Sequence, residues 1–323
     1  MKFSPAKQWL ENSGPLAGLI VIYLLFAMLA PESFTSLRNL ELIARQTAIV
    51  GICSLGMTFV IISGGIDLSV GSVIALVTIV VAWLLRQGCD PFTAAAGGLL
   101  TGLGCGLANG VLITKLRVVP FIVTLGTLLI FRGLAKGVAN EQKIDAPLSW
   151  LNEMLAVLEP EYYWLIVPAG VWLLLLLTVL AFLLLKYTRF GLHATAIGSN
   201  ENAARLCGIA IERVKIAVYA LCGICAGIGG LLQFSRLTVG DPTVASGLEL
   251  DVIAAVVIGG GSLSGGEGSI AGTIIGALIM TVIRSGCTQI GVSNWLQEII
   301  TGFIIIISVT MDSLRHRRRK AGG

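Results

Sequence analysis

Charged residues and histidines are scarce in this chain of 323 residues. Asp, Glu, Lys and Arg make up 12% of it, hydrophobic residues make up 55%, and the mean hydropathy is +0.90. Soluble globular domains typically use about 25% charged residues, so this composition excludes a soluble globule. The two histidines, His193 and His316, both lie in basic segments, and no paired carboxylates stand out. The sequence therefore offers no catalytic constellation, and we expect no enzyme activity.

The sequence also lacks the motifs of a metal site and of a nucleotide site. Cys222 and Cys225 have CxxC spacing, but neither a second pair nor a nearby histidine accompanies them. Leu263-Ser264-Gly265-Gly266-Glu267 looks like the signature motif of ATP-binding cassette ATPases. An ATPase also needs a G-x-x-x-x-G-K-[ST] loop, and Gly-Lys followed by Ser or Thr occurs nowhere. We therefore interpret the pentapeptide as a turn between helices and expect no cofactor in this chain.

What the chain does contain is a series of long apolar runs. A helix that crosses a bilayer needs about 20 mainly apolar residues. The runs predict an all-α polytopic membrane protein with about ten transmembrane helices in one domain, 1–323, although the short run 248–260 is a candidate for a re-entrant segment. The ten runs lie near residues 16–30, 43–62, 68–85, 93–114, 120–135, 164–185, 216–234, 248–260, 269–283 and 295–311.

Basic residues predict the orientation, because Lys and Arg in short loops favour the cytoplasm. Lys2 and Lys7 place the N-terminus inside, and the tail from Arg315 to Lys320 places the C-terminus there and favours contact with anionic lipid over nucleic acid. The segment 140–162 is then a periplasmic loop. It is acidic, with leucines at helical spacing at 148, 151, 155 and 158, which predicts an amphipathic surface helix and a docking surface for a partner.

Two stripes of glycine suggest an internal repeat. Glycine recurs every four residues within the fourth and the ninth run, a spacing that lets another helix backbone approach closely. Pairing runs two to five with runs seven to ten relates the halves by an inverted repeat, as in many transporters. The stripes are Gly98, Gly102, Gly106, Gly110 and Gly268, Gly272, Gly276.

The segment 186–215 predicts a structured cytoplasmic element between two apolar runs. Ser199 is a candidate cap for a helix from Asn200 to Cys207, with Glu201 in its first turn and Gly208 at its end. Two helical turns are unstable alone in water. We therefore expect this helix to pack on another protein.

Asp67 is the carboxylate most deeply embedded in apolar sequence, within Gly64-Gly65-Ile66-Asp67-Leu68-Ser69-Val70-Gly71. Because an ionised side chain in a bilayer is costly, it needs partners such as Ser69, and it serves either as a structural cap or in gating. Only Asp67 and Glu298 are expected to be available as intramembrane ion ligands. Further candidates for a path or gate, which equally suit hydrogen bonds between helices, are Asn109, Phe121, Thr124 and Thr127.

Several of these motifs together resemble the permease subunits of bacterial ATP-binding cassette importers for simple sugars, the ribose, xylose and galactose branch. The segment from Ala196 to Ile209 is similar to the cytoplasmic coupling segment of that family, although Asn202 after Glu201 departs from the spacing of the related EAA loop. The coupling residues that the resemblance implies are Gly198, Asn200, Glu201, Ala203, Ala204, Arg205 and Gly208. The other matching segments are 64–71, Asn109-Gly110, 120–127, Arg132-Gly133 and 254–260.

The resemblance implies a type II importer-like permease of the bacterial inner membrane. Separate cytoplasmic ATPase subunits would bind ATP and Mg, a periplasmic binding protein would deliver the monosaccharide, and a second permease chain, alike or different, would complete the path. The alternatives are a permease for a branched-chain amino acid or a nucleoside, and a stand-alone secondary transporter.

Overall fold

The computed structural model describes residues 5–158 and 165–321, which form α-helices joined by short connections. Two-residue strands β1 (Ile144–Asp145) and β2 (Val239–Gly240) pair antiparallel. The helices are α1 (Pro5–Leu29), α2 (Leu37–Ile62), α3 (Val70–Arg86), α4 (Pro91–Leu116), α5 (Pro120–Val138), α6 (Trp150–Glu153), α7 (Ala169–Tyr187), α8 (Arg189–Ser199), α9 (Glu201–Leu206), α10 (Ile211–Leu237), α11 (Leu248–Ile258), α12 (Ile270–Gln289) and α13 (Asn294–Ala321).

Each apolar run of the sequence lies mostly within one helix. The first residue of the sixth run, Trp164, lies outside the described residues. In the described part of the chain, α2, α4, α5, α7, α10 and α12 are long and apolar enough to cross a membrane. The apolar parts of α1, α3 and α13 are shorter. Helix α11 has 11 residues, about 16 Å at ~1.5 Å per residue, which is shorter than a hydrocarbon core of ~30 Å, so α11 could cross only together with its flanking connections.

Local sequence signals explain where several helices begin. The Ser36 side chain accepts a hydrogen bond from the Asn39 N–H at the start of α2. Asp90 accepts from two N–H groups in the first turn of α4, where Pro91 needs no such partner. Proline also begins α5, at Pro120.

Helix α2 lies at the centre of the bundle and is almost entirely buried. It contacts α7, α10, α11 and α12, while α10 in turn packs against α3 and α4. Helices α5 and α7 lie at the periphery and leave most of their apolar side chains exposed. These two helices therefore offer their outer faces to lipid or to another chain.

The glycine stripe of α4 brings its backbone directly against α10. A Cβ atom at Gly102 would collide with the backbone of Gly223 and Gly227, and one at Gly106 would collide with the backbone of Tyr219 and Gly223. Close approach, the expected purpose of the stripe, therefore occurs between α4 and α10.

The stripe of α12 has a different partner. A Cβ atom at Gly272 would meet the backbone of Gly259, and one at Gly276 would meet the backbone of Ala255, so these two glycines pack on α11 and its C-terminal end. Gly268 precedes α12, and a Cβ atom there would meet the Ile62 side chain of α2 instead. Between α12 and α2 the contacts include two pairs of hydroxyl groups instead. Thr47 and Thr281 are 2.7 Å apart at their Oγ1 atoms, and Thr58 and Thr273 are 2.8 Å apart.

The segment 140–162 differs from the long amphipathic helix expected there. Residues 159–162 lie outside the described residues, and the helix present before them is the single turn α6. Leu151 and Leu155 are fully buried, while Leu148 is exposed. The Leu155 N–H donates to Ser235 Oγ on α10. A buried backbone N–H needs such a partner, and the bundle supplies one that a membrane surface would not.

Replacing Gly106 with alanine is expected to destabilise the protein by about 1–3 kcal/mol, because the added methyl group would overpack the α4–α10 contact. Thermal unfolding in detergent measures the effect. Gly104→Ala is the matched control on the same helix, since nothing lies within 4 Å of a Cβ atom there. Equal melting temperatures for the two variants would contradict the role of the stripe.

Candidate functional site

Asp67 lies in the connection between α2 and α3 and is only 2% exposed. Its Oδ1 atom accepts hydrogen bonds from the Ser69 N–H at 2.8 Å and the Ser69 hydroxyl at 2.6 Å. The Asn109 amide of α4 donates to Ser69 Oγ at 2.8 Å and lies 3.4 Å from both carboxylate oxygens. Asp67 and Asn109, which the sequence placed in separate motifs, thus form one buried polar cluster.

Two further helices hold the backbone of this connection. The Thr124 hydroxyl of α5 lies 3.1 Å from the Ile66 carbonyl, and the Tyr219 hydroxyl of α10 lies 3.5 Å from the same oxygen. Thr127 is buried one turn further along α5, with its hydroxyl 3.3 Å from the Thr124 carbonyl. Phe121 is 46% exposed and does not join the cluster. We name Asp67, Ser69, Asn109 and Thr124, together with the Ile66 carbonyl, the Asp67 cluster.

A second aspartate turn, which sequence reasoning missed, precedes α11. Asp241 Oδ1 accepts from the Thr243 N–H at 2.8 Å and the Thr243 hydroxyl at 2.7 Å, as Asp67 does from Ser69. Lys143 forms an ion pair with the other carboxylate oxygen at 3.2 Å, and Arg132 donates to the carbonyls of Pro242 and Val244. The available signal was an Asp-x-Ser/Thr triplet shortly before an apolar run, present at both places.

The expectation that only Asp67 and Glu298 are available as intramembrane carboxylates was wrong. Helix α11 carries two further acids: Asp251, which is 2% exposed, and the partly buried Glu249, whose Oε2 atom is buried without a hydrogen-bond partner. Asp251 forms an ion pair of 2.6 Å with Arg284 of α12. Glu298 is exposed. These two acids were not among the predicted candidates, because the apolar run that contains them is short. Two acids within a short apolar helix nevertheless indicate buried partners.

The segment 186–215, which the sequence predicts to be cytoplasmic, contains two short helices, α8 and α9. Asn200, not Ser199, caps α9 by accepting a hydrogen bond from the Ala203 N–H at 3.0 Å, because Ser199 still belongs to α8 and donates to the Thr195 carbonyl. Gly208 follows α9 with a φ of +81°, a left-handed conformation that suits glycine at a helix end.

Glu201 is tied to two basic residues. Lys215 Nζ donates to its carboxylate at 2.7 Å and Arg205 at 3.3 Å. The hydrogen bond from Lys215 is the main cause that holds the pKa of Glu201 below its usual range. This depressed pKa makes the ion pair fully present at neutral pH, and the pair is lost only when the pH falls through that lowered pKa.

One face of the α8–α9 unit contacts the bundle and the other is free. At Gly198 a Cβ atom would collide with the Ile62 carbonyl at the end of α2 and with the backbone of Gly266. The Gly266 N–H donates to that same carbonyl at 2.8 Å, and Gly265 and Gly266 both have positive φ, so residues 263–267 form a turn. Ala204 is buried against the bundle, while Ala203 is exposed and Leu206 is 89% exposed.

Within residues 5–158 and 165–321, no group of three or more His, Cys, Asp or Glu side chains is placed to hold a metal ion. The described polar groups instead join helices to each other. An apolar bundle of many helices, six of them long enough to cross a membrane in the described part of the chain, is the arrangement of a polytopic membrane protein.

Comparison with known proteins agrees with that class. A family model described as branched-chain amino acid transport system / permease component matches residues 39–309. The chain belongs to this family of membrane permeases. No solved structure gives a significant match.

The chain is similar to sugar permeases over nearly its whole length. It is 38% identical to the ribose import permease protein of Escherichia coli (strain K12) over 310 residues, 95% of each chain. It is 40% identical to the ribose import permease protein of Bacillus subtilis (strain 168) over 304 residues, 94% of this chain and 93% of the relative. It is 35% identical to the xylose transport system permease protein of Escherichia coli (strain K12) over 366 residues, 94% of this chain and 92% of the relative.

Asp67→Asn is expected to lower transport more than it lowers abundance. Asparagine still accepts from Ser69 but loses the charge, and hydrogen bonds to charged groups contribute about 1.5–3 kcal/mol, equivalent to roughly tenfold or more in an equilibrium. Solute uptake per permease molecule in membrane vesicles measures the effect, with the exposed Asp145→Asn as control. Parallel losses of uptake and abundance would assign Asp67 to folding alone.

Proposed function

We propose that this chain is the membrane-spanning permease subunit of an ATP-binding cassette importer that moves a monosaccharide across the bacterial inner membrane. The observation that carries this proposal is the full-length similarity to sugar permeases, which includes ribose and xylose permeases. The family description mentions branched-chain amino acids, so an uptake assay includes leucine as a competing solute.

In this proposal the ATP and Mg sites lie on separate ATPase subunits that dock on the 186–215 segment. The capped α8–α9 unit supports this role, because it is fixed to the bundle through Gly198 and Ala204 and still presents Ala203 and Leu206 outward. A movement imposed on such a unit reaches the end of α2 directly. The proposed coupling residues are Gly198, Asn200, Glu201, Ala203, Ala204, Arg205 and Gly208.

The proposed architecture is one domain of about ten crossings built from two inverted halves. Helix bounds support this: α2 begins at Leu37 and α10 at Ile211, α5 begins at Pro120 and α13 at Asn294, and these pairs are the same number of residues apart. The aspartate turns at Asp67 and Asp241 share that offset and the same hydrogen bonds.

The helix contacts also support the repeat. Exchanging α2–α5 with α10–α13 turns the contact of α4 with α10 into that of α12 with α2. It likewise turns the contact of α3 with α10 into that of α11 with α2, and the contact of α3 with α4 into that of α11 with α12. Because equivalent helices of the two copies, such as α2 and α10, are an odd number of crossings apart, the two copies would be inverted in the membrane.

The basic residues near both termini, of which Lys2 lies outside the described residues, support a cytoplasmic location for both ends. The segment 140–162 then faces the periplasm, where a sugar-binding protein would deliver the solute. The exposed apolar faces of α5 and α7 suit contact with lipid and with a second permease chain. Between these surfaces, we assign the gate to Asp67, Asn109, Phe121, Thr124 and Thr127.

Purification of the permease from its native membrane, followed by identification of its companions by mass, tests the proposal directly. A stoichiometric companion with a phosphate-binding loop, and ATP-driven uptake of a monosaccharide, are the expected results. A chain that purifies alone, with uptake that survives ATP depletion and collapses with the ion gradient, would favour a secondary transporter.

Gly208→Asp is expected to uncouple ATP hydrolysis from uptake while the permease stays in the membrane. A side chain at the left-handed φ of +81° costs roughly 1–2 kcal/mol and distorts the end of α9. Gly88→Asp is the matched control, because Gly88 has a φ of +83° and equally open surroundings beyond α3. Loss of stimulated ATP hydrolysis with Gly88→Asp as well would contradict a specific docking role.

Glu201→Lys is expected to uncouple transport in the same way, because it breaks the pair with Lys215 and reverses a charge on the proposed docking face. ATP hydrolysis by the reconstituted complex is the measurement. Glu32→Lys is the control: Glu32 is also exposed, but it lies between α1 and α2, outside the 186–215 segment. Normal uptake by Glu201→Lys would overturn the assignment.

A further inference from the structure

A polar cavity of about 480 Å³ lies between α2, α10, α11, α12 and α13. It is at the end of the bundle where α2 begins and α10 ends, the same end as β1 and β2. Its volume is within the range of ~300–1,000 Å³ typical of small-molecule sites. The polar side chains that matter here are Gln46, Gln233, Arg236, Asp251 and Arg284.

Several of these groups lack partners in the described part of the chain. Gln233 is 6% exposed, and neither its amide nor that of Gln46 makes a hydrogen bond to the described residues. The Oδ1 atom of Asp251 is buried without a partner, since Arg284 binds the other oxygen. Leaving the buried Asp251 oxygen unpaired costs free energy, so a bound molecule that pairs it would be stabilised, and the two amides, which line the cavity, can bind the same molecule.

The chemistry of the lining suits a neutral polyhydroxylated molecule. A sugar hydroxyl both donates and accepts, so adjacent hydroxyls can pair with a carboxylate oxygen and a guanidinium fork at once. Asp251 and Arg284 provide those two groups side by side, with their charges cancelling. The amides of Gln46 and Gln233 add donors and acceptors from α2 and α10.

Among the described residues, the positions that correspond to these polar side chains in the other half of the bundle carry no polar side chains. At the offset that relates the two aspartate turns, Gln46, Gln233, Asp251 and Arg284 correspond to apolar or glycine positions at the opposite end. There the backbones of α4 and α10 are in contact and the space is filled. Those positions are Ala220, Phe59, Val77 and Gly110.

We infer that this cavity is the station where the permease holds its polyhydroxylated solute on the way from the binding protein, with Gln46, Gln233, Asp251 and Arg284 as its hydrogen-bonding residues. The inference rests on the proposed function and adds a selectivity element to a chain that would otherwise act only as a conduit. Solute choice is then made twice, once by the binding protein and once here.

The test uses the complete complex, with its ATPase and binding protein, reconstituted in proteoliposomes. Uptake of radiolabelled D-ribose, L-arabinose and D-xylose is compared for wild type, Gln233→Met and Gln46→Met. Methionine keeps the length of glutamine and removes the polar end. Because neither amide makes a hydrogen bond to the described residues, the thermal stability of both variants should be unchanged or higher. The control is Gln87→Met, at the exposed end of α3 and away from the cavity.

The expected result is a loss of about tenfold in uptake by both cavity variants, equivalent to about 1.4 kcal/mol, together with a changed ratio between the sugars and retained ATP hydrolysis. Gln87→Met should match wild type. Unchanged uptake and unchanged sugar ratios in both cavity variants, with wild type active, would overturn the inference alone. A wild-type complex that transports none of the three sugars would instead overturn the proposed function.

Discussion

A helix that breaks inside an apolar bundle leaves backbone N–H and C=O groups that water cannot reach, and the rest of this structure depends on how that problem is solved. Between α2 and α3 the side chain of Asp67 replaces the missing helical acceptor and accepts from the Ser69 N–H, while the hydroxyls of Thr124 and Tyr219 donate to the Ile66 carbonyl. Four helices are fixed relative to one another by these few bonds. Between α10 and α11, Asp241 and Arg132 do the same.

The Asp67 cluster and the α8–α9 unit are neighbours through the last turn of α2. The Ile62 carbonyl accepts from Gly266 and lies against Gly198, and the connection that carries Asp67 begins one residue later. Because protein interiors are close-packed, a displacement of α8 is transmitted there with little loss. The polar cavity lies at the other end of α2, so this central helix joins the proposed docking surface, the proposed gate and the proposed solute station.

Sequence reasoning located the helices and singled out Asp67 and Asn109, but it did not show how these pieces meet. Apolar runs mark helices because burial of a whole helix leaves a long, continuous signal, and Gly208 marked the end of α9 because few other residues adopt its φ. The pairing of Asp251 with Arg284 and of Lys143 with Asp241 was not accessible, since it depends on tertiary contacts between distant segments. The choice between Ser199 and Asn200 as cap turned on a one-residue boundary, where local signals are least decisive.

The two seams of the bundle differ in mechanical character. Helices α4 and α10 touch backbone to backbone along their glycines, so they form a stiff double rod that cannot slide without a steric clash. Helices α2 and α12 are joined by hydroxyl pairs, and Thr47 and Thr58 each also bond a carbonyl of their own helix. Thr47 and Thr58 therefore keep a partner on their own helix when the pair across the seam is broken, whereas the α4–α10 seam relies on close backbone contact.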